Sequence, residues 1–257
     1  MTARHRSGMG LLTLIVTVLT VPGALFAADL SDGPQILARI DELRRFSGSD
    51  FSAVTTLITE DPEIGVEKQV VQQFRRDRDE AFLMVIKEPT TRLGQGYLRV
   101  DDSLWFYDPE SRAFSHTSMK ERFSGSDARN SDFGASRYAD DYVVTTISDG
   151  RLGRFDVYIL DLTATHDEVT YPTQRVWVTR DLYLPLKVED YSATGRLMRT
   201  TLIPNYARAG ETYVASTLII TDELVAGKKT SITLASISVA PLPDSVFTKA
   251  YVERVSR

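Results

Sequence analysis

The chain of 257 residues contains no cysteine. That absence excludes disulfides, zinc–thiolate centres, cysteine nucleophiles and the lipid-modified cysteine of a bacterial lipoprotein. Histidine is nearly as scarce, with three in all. His5 falls in the N-terminal leader described below, which leaves His116 and His166, and neither has the i, i+4 spacing of a helical zinc site. His166 beside Asp167 and Glu168 is a weak metal arrangement and reads first as a solvated turn. The chain also has no Gly-x-Ser-x-Gly elbow, no Walker loop and no dinucleotide fingerprint. Its nearest approach, Gly134-Ala135-Ser136-Arg137-Tyr138, lacks the second Gly that the nucleophile turn needs. The adjacent acids Asp101-Asp102, Asp140-Asp141 and Asp167-Glu168 fall between strands or in a polar middle segment, where Asp favours turns by bonding its own backbone. Paired carboxylates catalyse only when they face each other across a cleft, and spacing along the chain does not show that. The residues therefore point to a binding protein, not an enzyme, with no cofactor and no metal.

Positive charge is also in short supply. Lys and Arg number 30 against 35 Asp and Glu, a net charge of -5. No basic cluster is present to replace the counterions of nucleic acid, and no polybasic patch faces a membrane. The leader is the basic part. Arg4, His5 and Arg6 precede an apolar core from Leu11 to Val21, and Pro22-Gly23 then leads to the small-residue run Ala24-Leu25-Phe26-Ala27-Ala28. This is a signal-peptide layout over residues 1–27, with cleavage expected after Ala27 or Ala28. An uncleaved anchor is the alternative, but the apolar core is shorter than the ~20 residues that cross a bilayer. Loss of Arg4 and Arg6 would take the net charge from -5 to -7. Residues 28–257 carry no Pro-rich, Ser-rich or low-complexity linker and are expected to fold as one domain outside the cytoplasm, soluble and monomeric.

Behind the leader, Ile36, Leu37, Ile40, Leu43 and Phe46 recur at helical steps, so Gln35 to Phe46 is predicted as an amphipathic helix with Asp32 as its cap. Nearly everything else is strand-like. Six predicted strands run from Phe51 to Ser118, and the pattern resumes from Tyr142 to Ala240. A sheet of about a dozen strands tends to curl. Ala81 to Ile86 is apolar at every position, which predicts cover on both faces, whereas Gln72, Gln73, Arg75 and Arg76 are expected to open the neighbouring strand to water. Thr170 to Tyr191 reads as an exposed hairpin. Ser124 to Tyr142 is polar and aperiodic, a long loop with a short helix near Ser136 to Asp141, and is either a lid or a surface excursion. The tail from Pro243 to Val252 is expected to turn back onto the sheet. Arg45-Phe46-Ser47-Gly48-Ser49-Asp50 recurs as Arg122-Phe123-Ser124-Gly125-Ser126-Asp127. With unmatched flanks, this reads as repeated turn chemistry and not as a duplicated domain.

A strongly curved sheet with a helix across its concave face leaves a cavity suited to an apolar ligand. The segment Asp102-Ser103-Leu104-Trp105-Phe106-Tyr107-Asp108-Pro109 resembles the signature hairpin of the LolA/LolB superfamily of periplasmic lipoprotein carriers. Gln73-Phe74-Arg75-Arg76, Ile86-Lys87-Glu88-Pro89 and Gly94-Gln95-Gly96-Tyr97-Leu98 follow the expected order. The chain is more specifically similar to the outer membrane lipoprotein-sorting branch, through Ser131-Asp132-Phe133, Asp140-Asp141-Tyr142 and Phe247-Thr248-Lys249-Ala250-Tyr251. The resemblance implies a mainly β fold: an antiparallel half-barrel whose concave face is covered by helices and which shields an acyl chain in the periplasm. It further implies a lipid or lipoprotein acyl ligand, an inner-membrane transporter or exporter as donor and an outer-membrane acceptor. Some relatives resemble sensors that dock onto exporters, for which the polar Ser124 to Tyr142 loop would be the docking surface. The family's lid is latched by an arginine early in the sheet, and Arg75 or Arg76 is the nearest counterpart. Alternation puts Trp105 and Tyr107 on one face and Phe106 on the other. The candidate lipid-lining residues are Phe74, Phe82, Met84, Leu98, Trp105 and Tyr107.

Overall fold

The computed structural model describes residues 32–256, so the expected leader lies outside the described residues. Helix α1 (Gly33–Arg44) has Pro34 in its first turn, where no intrahelical donor is lost, and buries Ile36, Leu37 and Ile40. Six strands follow: β1 (Phe51–Asp61), β2 (Gly65–Arg76), β3 (Ala81–Glu88), β4 (Gly96–Val100), β5 (Ser103–Asp108) and β6 (Ala113–Thr117). After a long segment come α2 (Tyr138–Asp141), β7 (Tyr142–Leu152), β8 (Phe155–Ala164), β9 (Thr173–Thr179) and β10 (Pro185–Tyr191). The last elements are β11 (Leu197–Ala209), β12 (Thr212–Asp222), β13 (Lys229–Ser238) and α3 (Lys249–Val255). All strands form one open antiparallel sheet in the order β6-β5-β4-β3-β2-β1-β13-β12-β11-β10-β9-β8-β7. The chain thus enters mid-sheet, winds out to the β6 edge, crosses to the β7 edge and winds back until β13 pairs with β1.

This path requires curvature. A flat sheet of 13 strands would put its edges roughly 58 Å apart at the usual strand spacing. Residues 118–141 must span that distance, yet Phe123 N–H bonds Ala128 C=O and folds part of the segment back on itself. The 3-10 turn Asn130–Phe133 and α2 shorten it further, to a reach of about 50 Å. The edges accordingly come together: the Lys120 ammonium, just beyond β6, donates to the Asp167 carbonyl in the β8–β9 loop. The sheet is a curled half-barrel, as its strand number predicts, and the crossing segment runs along the concave side.

Register sorts the side chains onto two faces. Leu57, Val71, Phe82, Met84, Ile86, Tyr97, Leu104, Ile220 and Ile232 are buried on the concave face, beneath Phe123, Ala128 and Phe133 of the crossing segment, and Phe51 on the same face packs with Phe46 and Val214. On the other half of that face α1 lies over Tyr142, Ile147, Leu160, Val176, Val178 and Val188. The expected exposed hairpin is therefore buried on one side, because α1 covers Val176 and Val178. On the convex side the tail packs Val246, Phe247 and Val252 against Ala81, Leu83, Val85, Leu98 and Tyr107. Strand β3 is covered on both faces, as its unbroken apolar run predicts. The tail docks closely at Gly94, whose φ of +81° and nearly touching Ser256 carbonyl leave no room for a side chain.

Strand β2 departs from expectation. Gln73, Arg75 and Arg76 are buried, not open to water. Each is held by polar partners. Arg75 forms a bidentate pair with Asp77 and lies over the Phe46 and Phe51 rings. Arg76 faces the tail, binding Asp50 through two nitrogens, Asp244 at 2.6 Å and the Leu242 carbonyl. Neither of the two latches the crossing segment. The repeated hexapeptide uses one chemistry twice: Phe46 and Phe123 are buried in the concave core, while Asp50 and Asp127 are buried acceptors for arginines.

Burial favours the neutral form of Asp50, but the Arg76 guanidinium, the Leu242 N–H and Arg78 outweigh it and hold its pKa below the ordinary value. Its contribution to stability is thus complete above about pH 4 and fades as pH falls through the depressed folded-state value. Arg76→Ala strands Asp50 and is expected to cost about 3–5 kcal/mol in urea denaturation at pH 7. Arg39→Ala, which removes an exposed pair with Glu42, should fall within about 0.5 kcal/mol of wild type. Asp50→Asn should flatten the loss of stability on acidification; an unchanged acid limb would assign that loss to other carboxylates.

Candidate functional site: the cavity beneath the crossing segment

An irregular segment laid against a sheet brings backbone groups that the sheet ladder cannot satisfy. The polar residues of β2 supply the partners: Gln69 Nε2 donates to Ser124 C=O at 2.9 Å and Gln73 Nε2 to Phe133 C=O at 3.3 Å. Thr230 Oγ1 on β13 accepts Asp127 N–H and donates to its carboxylate. At the far side, Asp41 of α1 accepts the Ser136 hydroxyl and the Tyr138 and Ala139 N–H groups, which seats α2 under α1. Ser136 is thereby engaged by a carboxylate as a structural donor.

The main electrostatic tether is Arg199 on β11. Its guanidinium donates to Asp132 at 2.6 and 3.1 Å and to the fully buried Asp190 at 2.6 Å, and it stacks over the Tyr171 ring. Burial pushes the Asp190 carboxyl up despite Arg199. The arginines that hold the crossing segment are thus Arg199, in the second half of the sheet, and Arg92, between β3 and β4, which donates to Ser124; neither is Arg75 or Arg76. Alternation carries the signal that was available: Arg199, Thr201 and Ile203 share one face of β11, and an arginine in register with buried apolar residues needs a carboxylate partner.

Between segment and sheet lie two adjoining cavities. One of about 70 Å³ is walled by Phe51, Phe133, Val214, Leu218, Ile232 and Leu234. The other, about 180 Å³, is of similarly mixed polarity and reaches Tyr138, Tyr142, Gln174, Val188, Arg199 and Thr201. Arg44, Asp132, Gly134, Ser136 and Leu218 border both. Outside them, between the approaching sheet edges, a charged cleft of about 680 Å³ holds Glu80, Arg99, Arg137, Asp141 and His166. Asp141, which burial shifts upward, pairs with Arg137 and lies 3.5 Å from His166. Among the described residues no group of three or more His, Asp or Glu is placed to hold a metal ion.

The six sequence-derived candidates do not come together. Phe82 and Met84 are on the concave face, fully buried under Phe123 and Phe133 and away from both cavities. Phe74, Leu98, Trp105 and Tyr107 lie on the convex face, where Leu98 and Tyr107 meet the tail and Phe74 packs edge-on against Tyr251. Trp105 is 3.6 Å from His116, centroid to centroid, with the Lys249 ammonium 3.2 Å above its ring. The physical reason is period-two alternation: Leu98 pairs with Trp105 and Tyr97 with Phe106, so choosing Trp105 and Tyr107 selects the face opposite Tyr97. The cavity residues missed by sequence are Leu218, Ile232 and Leu234, on the paired strands β12 and β13, and Arg44 at the end of α1, which the helix brings over them.

Arg199→Met should cost about 3–5 kcal/mol in urea unfolding, because Asp190 is then buried without its cation. Asp132→Asn should cost less, about 1–3 kcal/mol, and raise amide exchange across residues 130–137 while leaving β7 to β9 unchanged. Equal costs for the two substitutions would contradict the assignment of Arg199 as the link between roof and sheet.

A family model described as "-like: Uncharacterized protein" matches residues 78–254. Among solved structures, a LolA superfamily protein from Nitrosomonas europaea is 26% identical, with a TM-score of 0.74 over 85% of this chain and 99% of that one. A domain named for outer membrane lipoprotein sorting from Vibrio parahaemolyticus is 21% identical, with a TM-score of 0.79 over 88% and 100% of the two chains. A DUF1329 family protein from Desulfovibrio piger is 20% identical, with a TM-score of 0.78 over 87% and 98%. No curated protein matches the sequence.

Proposed function

Because this chain belongs to the family matched over residues 78–254 and has a LolA-like fold, we propose that it is a carrier for acyl chains of lipid or lipoprotein. The observation that carries this reading is a cavity on the concave face with an apolar stretch of Phe51, Val214, Leu218, Ile232 and Leu234 in its wall, roofed by a segment that hydrogen bonds and an ion pair, not covalent links, hold to the sheet. Each methylene moved from water to such a wall contributes roughly 0.8 kcal/mol, so a long chain binds without catalytic machinery. The two cavities are smaller than the ~300 Å³ at which ligand pockets usually begin. A full-length chain therefore enters as the roof shifts. In this reading the protein acts in the periplasm, taking cargo from an inner-membrane transporter and passing it toward an outer-membrane acceptor.

The alternative, a sensory module docking onto an exporter through Ser124 to Tyr142, would have to use the part of that segment left accessible, Gly134 to Asp141. Its earlier part is turned inward, with Ser126, Ala128, Asn130 and Phe133 buried.

Leu218 borders both cavities, so Leu218→Trp should fill their junction and lower uptake of a fluorescent fatty acid at least tenfold. Trp105→Ala, on the convex face, should leave uptake within about twofold of wild type. Native mass spectrometry of the protein purified from the periplasm should show a lipid-sized adduct that disappears on denaturation. Full uptake by Leu218→Trp, or loss only in Trp105→Ala, would move the site to the other face.

A further inference from the structure

The cavity is not uniformly apolar. Arg44, the last residue of α1, reaches the junction of both cavities, against the phenols of Tyr138 and Tyr206. No carboxylate lies within ion-pair distance of it among the described residues, and the acids around it are otherwise engaged. Asp132 and Asp190 are taken by Arg199, and Asp77 by Arg75. Asp41, one turn back on α1, accepts the Ser136 hydroxyl and two backbone N–H groups. A guanidinium presents five donors and stays charged, and one lining a void without an acid partner is unusual in a folded protein.

A second observation points the same way. Thr201 lines the larger cavity at 7% exposure, and its hydroxyl has no hydrogen-bond partner. The Gln174 amide oxygen on the same wall is also unpartnered, but as an acceptor it calls for a donor such as a hydroxyl and does not itself attract the anion. Buried polar atoms of this kind are normally satisfied, so their presence around one void marks where a polar group of a ligand belongs. The apolar wall of Phe51, Leu218, Ile232 and Leu234 starts at the same junction.

We propose that the cavity selects amphiphiles with an anionic head, a phosphate or carboxylate, which binds Arg44 with Thr201 as a second donor while the chain runs along Leu218, Ile232 and Leu234. This rests on the acyl-carrier reading and narrows it, since a neutral acyl group offers no charged acceptor to the Arg44 donors that face the cavity. Arginine suits such a head through paired N–H···O bonds.

The test is displacement of the neutral probe N-phenyl-1-naphthylamine by dodecyl phosphate, dodecanoate or dodecanol, each below its micelle threshold, and by inorganic phosphate alone. At least one anionic amphiphile should displace the probe at a tenfold lower concentration than dodecanol; the stronger of the two names the head group. Arg44→Met should bring the ligands within about twofold of one another without weakening dodecanol, and Arg44→Lys should restore part of the preference. Equal displacement by dodecanol and the anions in wild type overturns the head-group assignment and leaves the carrier reading standing. So does a preference that survives Arg44→Met. Inorganic phosphate acting as well as dodecyl phosphate overturns the amphiphile assignment, and failure of every chain to displace the probe removes both. The wild-type comparison needs no variant, so a folding defect in Arg44→Met does not decide the outcome.

Discussion

Everything else in this molecule follows from one topological constraint: a chain that starts in the middle of a sheet and builds both halves outward must carry a segment from one edge to the other. That segment has to pass over a face. It cannot span a flat sheet of this width, so the sheet curls and the segment becomes the roof of the concave side. The same curl brings the β6 and β7 edges close enough for Lys120 to meet the loop after β8. A cavity between roof and sheet is then a geometric remainder, where a sequence of mixed polarity does not fill the space completely.

A roof without regular structure brings a cost that a helix would not. Its N–H and C=O groups leave water and have no ladder to join, and each one unmatched costs about 1–3 kcal/mol. This explains the polar content of the concave face. Gln69, Gln73 and Thr230 are not solvent-facing positions of an amphipathic sheet; they are partners for the roof. Arg199 satisfies Asp132 and Asp190 together, which joins the roof to β10 and β11. The apolar share of the attachment comes from Phe123, Ala128 and Phe133, and burying two phenylalanines contributes roughly 3–6 kcal/mol.

Local patterning made much of this legible. Helix α1 and all thirteen strands stand where periodicity and turn residues place them, and the apolar run of β3 did announce cover on both sides. What local patterning could not convey was which face would be roofed. Gln73 looks like a water-facing residue because its burial depends on a segment some sixty residues away, and Arg75 because its cover comes from Phe46 ahead of β1 and from Asp77 beyond its own strand. The crossing segment itself looks polar because its three core residues, Phe123, Ala128 and Phe133, are five apart, a spacing that belongs to neither helix nor strand. Trp105 and Tyr107 drew attention as large aromatics in a recognisable hairpin, yet alternation alone assigns two faces without saying which is concave. Arg44 and Leu218 had no local signal, since their meeting is a product of the curl.

The roof is not attached evenly, and the difference bears on how a ligand would enter. Up to Phe133 it is anchored by buried aromatics and by Arg199, and from Tyr138 onward α2 is held beneath α1 by Asp41. Between these anchors, Gly134 to Arg137 are only half buried and contribute no large apolar side chain. Their attachments are the Ser136–Asp41 hydrogen bond and the ion pairs of Arg137 with Glu80 and Asp141. Half-exposed ion pairs of this kind contribute about 1 kcal/mol or less. This stretch also borders both inner cavities and the outer charged cleft. The weakest part of the roof is therefore also the wall between the interior and solvent. Local opening of a few residues costs far less than unfolding, so displacing Gly134 to Arg137 would enlarge the cavity while leaving Phe123 and Phe133 seated.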